Sequence, residues 1–533
     1  MQDKKDSTIE VMKVRNNLKL RLIFESICIG LFAGLIMVLN RVLIDKMLPK
    51  MTSIYEGAKG SIWNIALVFA VLIIMGYIVG VMVRKDGMIS GSGIPQVEGI
   101  LMRRFEVNWL RVLILKFLGG TIALGAGLSL GREGPSVQMG ASIGQGFSKV
   151  CNRSNIEEKI LITSGAAAGI AGAFNAPLSG VIFALEEVHK NFSPLVLLSA
   201  MASSIVADFT VKQFLGLGPA FGFNGISALP LGYYWLLPIL GIIVGFSGMI
   251  FCKGILNTQD IYDKFKKMPT EVKVIIPFIL TGIIGMTLPI LLGGGHGLIM
   301  SISEGGYTIK MLILLLVVKF LFTIIAFGSG TPGGIFFPLL VLGALVGDIF
   351  GILVCKGLKI PDVYILNFII FAMAAHFAAI VKAPITGIVL ITEMTGSFEH
   401  LLALTIVVIA AYVTSDLLRN EPIYESLLER RLKKCGDKCD DESCKAYVKK
   451  TLLELAVFMG SHIEGKKIKD ITWPRDCLIV AIKRGGKEII PKGNTEIIAG
   501  DFIVVLVDDN KAADVLVRLQ ELSTEVNVIQ NDL

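Results

Sequence analysis

Ten apolar runs dominate the chain between residues 27 and 411: Ile27–Leu39, Ile62–Val83, Val112–Leu130, Leu195–Val206, Leu236–Ile250, Val274–Leu292, Met311–Phe327, Phe337–Val354, Ile365–Ile380 and Leu401–Ala411. A helix that crosses a bilayer upright needs about 20 apolar residues. Several of these runs are shorter, and glycine and proline interrupt many of them. Non-helical backbone at membrane depth survives only where protein or a water-filled cavity satisfies its polar groups. Short, broken runs therefore predict an all-α polytopic membrane protein with half-helices packed among longer ones. The 53% hydrophobic content and mean hydropathy of +0.70 exclude an ordinary soluble domain.

The formal net charge of +7 fits that class. Lys4, Lys5, Lys13, Arg15, Lys19 and Arg21 precede the first run, and Arg430, Arg431, Lys433 and Lys434 follow the last. The positive-inside bias then predicts that both termini are cytoplasmic. With Asp3, Asp6 and Glu10 and no small-residue cleavage site, the opening lacks a signal-peptide pattern. The charge reads as membrane orientation, with no nucleic-acid module. Cys435, Cys439 and Cys444 fall in a charged stretch with a spacing unlike common zinc patterns, and they read as linker cysteines with no metal.

One break is chemically unusual. Ser129-Leu130-Gly131-Arg132-Glu133-Gly134-Pro135 sets an arginine and a glutamate between glycines, directly after an apolar run. A charged side chain inside a membrane costs about 2.5–3.5 kcal/mol on insertion scales, so such a residue is kept when it faces water or a partner. The glycines end one helix and Pro135 suits the first turn of the next. A helix N-terminus within the membrane attracts an anion, and Glu133 is itself an anion placed there.

The pattern recurs. Asn175-Ala-Pro-Leu-Ser-Gly180 is echoed by Lys382-Ala-Pro-Ile-Thr-Gly387, and Glu186 by Glu393, at an offset of 207. Pro135, Gly140, Ala141 and Gly144 are echoed by Pro338, Gly343, Ala344 and Gly347, at an offset of 203. This predicts two repeats, about 21–210 and 230–430, whose broken helices meet at a substrate site. Two residues before the proline, the first half has Glu133 and the second Phe336, an acid opposite an apolar ring.

Further breaks lie at Gly91-Ser92-Gly93-Ile94-Pro95 and along Gly328–Pro338. Glu186 and Glu187 close an apolar segment, and Tyr424 follows the last span. Backbone amides with the Ser92 and Tyr424 hydroxyls donate hydrogen bonds to a dehydrated anion without the full positive charge that would trap it. Glu98 and Lys116 read as a structural ion pair. His189, His296, His376 and His400 read as loop or packed-face residues. Gly293–Gly297 reads as a loop. No phosphate-binding loop of the G-x-x-x-x-G-K-[ST] type occurs, so no ATP site is expected.

Residues 1–20 form an N-terminal segment, 21–430 the membrane domain and 431–450 a linker. Residues 451–524 read as a small α+β cytosolic domain, followed by a tail at 525–533. Strands are expected at Leu452–Val457, Cys477–Ile482 and Phe502–Val507, with turns at Gly485-Gly486 and Gly500-Asp501 and a closing helix over Ala512–Leu522. So small a domain gains stability by self-association.

Gly91–Pro95, Gly131–Pro135, Gly334–Pro338 and Tyr424, in that order, resemble the signature motifs of the CLC family of chloride channels and chloride/proton antiporters. The resemblance implies a CLC fold with two inverted repeats, a homodimer in the bilayer, and chloride and protons as substrates without a cofactor. It implies that Ser92, Tyr424 and the amides of Ile335 and Phe336 hold the central chloride. The backbone of Gly91, Gly93, Gly131, Arg132, Gly134 and Gly334 would line the pathway. Glu133 resembles the gating glutamate, and Glu187 the internal proton glutamate of the antiporter branch. Serine at 92 resembles chloride-selective members. Glu421 departs from the lysine that many relatives carry before Pro-x-Tyr. A passive chloride channel of the same fold is the near alternative. An intramembrane hydrolase using Ser92 is the distant one, and no paired Ser/His motif supports it. Gly465–Asp509 resembles the TrkA-C regulatory domain, implying a dimeric sensor of a small ligand or nucleotide. The expected location is a bacterial plasma membrane.

Overall fold

The computed structural model describes residues 2–524 apart from 191, 219, 224–226, 266, 437–449, 475–476, 486 and 509–511. The chain divides into two units, Met1–Cys444 and Lys445–Leu533. Cys439 and Cys444 and the side chain of Cys435 lie outside the described residues.

The first half of the membrane unit runs α1 (Gln2–Gly57), α2 (Ile62–Lys85), α3 (Ile94–Leu101), α4 (Trp109–Ala126), α5 (Glu133–Val150), α6 (Asn155–Phe174), α7 (Pro177–Phe183) and α8 (Pro194–Leu215). The second half runs α9 (Leu236–Lys264), α10 (Thr270–Thr287), α11 (His296–Ser303), α12 (Ile309–Gly328), α13 (Phe336–Leu358), α14 (Ile365–Val381), α15 (Pro384–Thr395) and α16 (Leu401–Leu417). Helix α17 (Ile423–Gly436) follows. Among the described residues nine helices are long and apolar enough to cross a membrane, and α15 and α16 are shorter apolar helices. The short run Ile27–Leu39 belongs to a much longer apolar helix, Lys19–Gly60. Charges at the start of that segment are tolerated because they pair: Glu25 with Arg153, and Arg21 with Glu157 of α6.

The halves match element by element. Helices α3 and α11 are both eight residues long and are entered through left-handed glycines, Gly93 (φ 96°) and Gly295 (φ 102°). Helices α6 and α14 both end on a left-handed residue, Asn175 or Lys382, and Ala-Pro then opens the next helix. Close packing rests on small residues. A Cβ on Gly140 of α5 would collide with the Gly165 carbonyl of α6, and one on Gly343 of α13 would lie 2.7 Å from the Ala372 carbonyl of α14.

Hydrogen bonds interlock the halves reciprocally. The amides of Gly131 and Gly334 each donate to the other's carbonyl at 2.7 Å, forming one antiparallel bridge between the two breaks. Gly91 N–H donates to Gly330 O at 3.4 Å, and Gly293 N–H donates to Gly127 O at 2.8 Å. Glu186 accepts from the Thr386 amide (2.8 Å) and hydroxyl (2.7 Å) at the start of α15. Glu393 answers at the start of α7, accepting from the Ser179 amide at 2.8 Å and from its hydroxyl. A carboxylate at a helix N-terminus satisfies orphan donors and complements the dipole. This architecture is the all-α, inverted-repeat arrangement that the broken runs predict.

The second unit is a four-stranded antiparallel sheet in the order β1-β4-β2-β3, with β1 Lys450–Ala456, β2 Cys477–Arg484, β3 Lys487–Ile489 and β4 Phe502–Asp508. Helix α18 (Ala512–Thr524) packs Val515 and Leu519 onto Leu455, Ile482, Ile503 and Val505. Strand β3 is an addition to the expected set: three residues are too short to show an alternation. Gly500 takes φ 86° in the turn before β4. Next to it, buried Asp501 accepts from Nε and Nη2 of Arg484 at 2.8 Å each and from the Ile498 amide at 3.0 Å. Burial pushes the Asp501 carboxyl up, but the Arg484 and Ile498 hydrogen bonds and the Arg484 charge outweigh it and hold it below the usual aspartate range.

Candidate functional site

The site is built where broken helices converge on the Gly131–Gly334 bridge. Gly134 must be glycine there, because a Cβ would lie 2.9 Å from both Cβ and O of Ser92. Gly334 is as tight, with a Cβ only 3.0 Å from the Gly134 amide. These contacts put the first turn of α5, the start of α13 and the Ser92 loop against one another. Ile335 and Phe336 open α13, where a helix has no internal acceptors for its N–H groups. The Phe336 ring is fully buried against Phe174 (4.9 Å), Phe183 (5.8 Å) and Phe377 (4.6 Å).

Glu133 is 1% exposed. Its carboxylate folds back toward its own backbone N–H and that of Phe337, which belongs to the other half. The second oxygen, Oε2, has no hydrogen-bond partner and sits where a Cβ on Gly131 would be. Arg132 does not neutralise it by direct pairing; it turns to Asp45 of α1, at 3.5 Å. The negative group therefore rests on amide dipoles, in a place suited to any anion of similar size.

Ser92 is 2% exposed, and its Oγ accepts from the Ile94 amide at 3.3 Å, which leaves its proton free to donate. Tyr424, at the start of α17, is fully buried, and its hydroxyl has no partner among the described residues. Glu133, Glu187 and Glu98 all lie within electrostatic reach of that hydroxyl. A buried donor without an acceptor costs about 1–3 kcal/mol, a cost that a bound anion removes.

The two adjacent acids that follow α7 are parted. The chain widens into a π-turn at Ala184–Val188, a feature common at functional sites. Glu186 is taken up at the start of α15, whereas Glu187 is buried and its Oε1 has no partner. Lys190 and Glu425 pair beside it, and Glu98 is a close electrostatic neighbour.

The expected Glu98–Lys116 ion pair is not formed. Lys116 Nζ donates instead to the carbonyls of Ile89 (2.8 Å) and Gly91 (2.6 Å), and both Glu98 oxygens lack a hydrogen-bond partner among the described residues. The broken loop exposes carbonyls that only a buried cation within reach satisfies, and this need outweighs pairing with the acid. The second half repeats the device: Lys319 donates to Leu291 O (2.9 Å) and Gly293 O (2.8 Å). Gly293–Gly295 is thus the counterpart of the Gly91–Gly93 loop, and α11 starts at His296. The 203-residue offset from Lys116 to Lys319 was the available signal.

Two cavities reach this centre. One, of about 820 Å³, is lined by Arg41, Asp45, Arg132, Glu133, Gly293–Gly297 and Phe337, among others. The other, of about 110 Å³, lies by Gly91, Ser92 and Gln96 and is rimmed by Arg430, Arg431 and Lys434 of α17. Arg430 and Lys434 pair with Asp260 and Asp263 of α9. His189, His376 and His400 sit on packed faces or helix ends. His376 is fully buried, with Nδ1 2.7 Å from Leu339 O. Among the described residues no group of three or more His, Cys, Asp or Glu could hold a metal ion.

Residues 75–416 match the family described as voltage gated chloride channel, and residues 452–520 match the TrkA-C domain. The H(+)/Cl(-) exchange transporter ClcA of Vibrio parahaemolyticus is 38% identical over 384 residues, covering 71% of this chain and 82% of that protein. The ClcA exchanger of Salmonella typhi is 34% identical over 437 residues, covering 79% and 90%. A crystal structure of a slow cyanobacterial Cl-/H+ antiporter aligns with a TM-score of 0.75 at 30% identity, over 78% of this chain and 98% of the other. The interlocked halves, the seated glutamate and these similarities agree: the chain belongs to the voltage-gated chloride channel (CLC) family and carries a TrkA-C domain after its membrane unit.

Proposed function

We propose that this protein is a secondary active transporter exchanging chloride for protons across a bacterial plasma membrane, as a homodimer with one pathway per subunit. The cavity rimmed by α17 faces the cytoplasm, together with both termini. One observation carries the reading: the Glu133 carboxylate occupies an amide-lined anion berth between the two halves. Chloride and an ionised Glu133 exclude each other there, because two like charges in a low-dielectric space repel strongly. Protonation removes that claim on the berth, so chloride enters when Glu133 carries a proton. The hydroxyls of Ser92 and Tyr424 and the amides of Ile335 and Phe336 hold the ion through neutral donors, weakly enough to release it. Glu187 passes the proton between Glu133 and the cytoplasm. The relatives named as exchange transporters favour exchange over passive conduction, and neither they nor the site geometry supports hydrolysis at Ser92. The C-terminal domain tunes transport by binding a small ligand.

Purified protein in liposomes tests this. A chloride gradient should drive protons uphill, and Glu133→Gln should keep chloride flux while abolishing proton movement. Coupled proton flux persisting in Glu133→Gln would remove the gate assignment. A wild type that dissipates chloride gradients without moving protons would make the protein a channel.

A further inference from the structure

Glu133 needs a source of protons on the side of the large cavity, and one lining residue is suited to supply them. His296 opens α11 and faces the cavity that Glu133 also lines. Its Nε2 lies 2.9 Å from the Ala220 carbonyl. A carbonyl only accepts, so Nε2 carries the hydrogen and Nδ1 is the nitrogen that gains and loses a proton. The ring is fixed by stacking on Phe221 (centroids 5.4 Å apart, 16° between planes) and by packing against Phe337 at 6.1 Å. Phe337 is the residue whose amide faces the Glu133 carboxylate. Imidazole and carboxylate thus share one structural support and one cavity.

We infer that His296 is the proton relay between the solution in this cavity and Glu133. The protonated imidazole gives its Nδ1 proton to a Glu133 carboxylate oxygen through cavity water, and neutral His296 then recovers a proton from solution. Running backward, the same step discharges Glu133. The surrounding charges leave this role open. Arg132 is paired with Asp45, and Arg41 is tied to Gly172 O and Asn175 Oδ1. Lys319, from α12 behind the loop, is spent on two carbonyls. Phe337 of α13 and the Ala220–Phe221 stretch bring no charge. Among the described residues His296 is the one imidazole lining the cavity.

The inference rests on Glu133 being the proton-coupled acid, and the experiment separates the two. Proton and chloride fluxes of reconstituted protein are followed as the pH on the side of this cavity is varied. The wild type should show a step in turnover that His296→Gln and His296→Phe lack. Both variants should run about tenfold slower at neutral pH, short of the roughly 10²–10⁴-fold of a positioned proton donor, because cavity water also delivers protons. Their proton-to-chloride ratio should be unchanged. His296→Phe retains the stacking, and calorimetric chloride binding reports whether each variant is folded. His296→Arg carries a permanent charge and no transferable proton, so it should be as slow as His296→Gln. Wild-type turnover in His296→Arg would show that charge alone matters and overturn the relay, as would an unaltered pH profile in His296→Gln and His296→Phe. If Glu133→Gln abolishes coupling while the His296 variants match wild type, only this inference fails. If Glu133→Gln stays coupled, the underlying reading fails.

Discussion

The Gly91–Gly93 loop and the Gly293–Gly295 loop are the same object made twice. Each precedes an eight-residue helix, each is clamped by a buried lysine through two carbonyls, and each binds the opposite half. Their chemistry differs at the middle residue of the loop and at the first residue of the helix that follows. The first loop carries Ser92 and the second Gly294. The first leads into Ile94 and the second into His296. Two residues beyond the bridging glycines Gly131 and Gly334, the halves diverge again, with Glu133 opposite Phe336. Duplication supplies the frame of converging helix starts, which needs only glycines, lysines and backbone. In the proposed exchange the copies act where they differ: the first half supplies Ser92 and Glu133, and the second the amides of Ile335 and Phe336.

The strongest challenge to this contrast is to fill the two glycines beside the bridge. Gly131→Ala puts a methyl where the Glu133 carboxylate lies, whereas Gly294→Ala meets nothing closer than 3.5 Å. The first should expel the carboxylate and lower proton coupling at least about tenfold, more than 1.4 kcal/mol at the gate. The second should keep coupling within about twofold. Equal effects in paired flux assays would mean the acid does not need the space that Gly131 leaves.

A smaller effect should come from the clamps. Lys116→Met and Lys319→Met each orphan two buried carbonyls, and each should cost about 1–3 kcal/mol in unfolding measurements. Their functional consequences should part: only Lys116→Met loosens the loop bearing Ser92, so only it should weaken chloride binding by calorimetry. Weakened binding in both would show that the second loop also contacts the ion.

The smallest change is expected from giving the second half a hydroxyl. Gly294 has no left-handed φ and has room, so Gly294→Ser should fold normally. One added neutral hydrogen bond contributes about 0.5–1.5 kcal/mol, so anion affinity should rise less than about tenfold. No change would place Gly294 out of the ion's reach.

Much of this was legible in the chain. The Gly-Pro breaks mark where helices stop, because glycine and proline act on the backbone locally, and the echoes at Asn175 and Lys382 reveal the duplication directly. Glu133 stands out because a charge between glycines in an apolar stretch has few explanations. Pairing was harder to read. Lys116 and Glu98 looked like partners on charge alone, yet the lysine answers to carbonyls that became orphans only when the loop folded. Glu186 and Glu187 are neighbours of one type in the sequence. A single π-turn and the distant start of α15 separate them, and neither leaves a local signature.

By itself, the sequence determined the class of molecule, the positions of its breaks, the twofold repetition and the small mixed domain at its end. Hydropathy, backbone permissiveness and alternation act over a few residues, and a linear chain records them. Only the tertiary structure decided which donors each acid meets. Glu133 rests on an amide 204 positions away, and His296 enters the same cavity through a stack on Phe221 and Phe337. Such contacts depend on how the interlocked halves converge, and no short stretch of sequence carries that information.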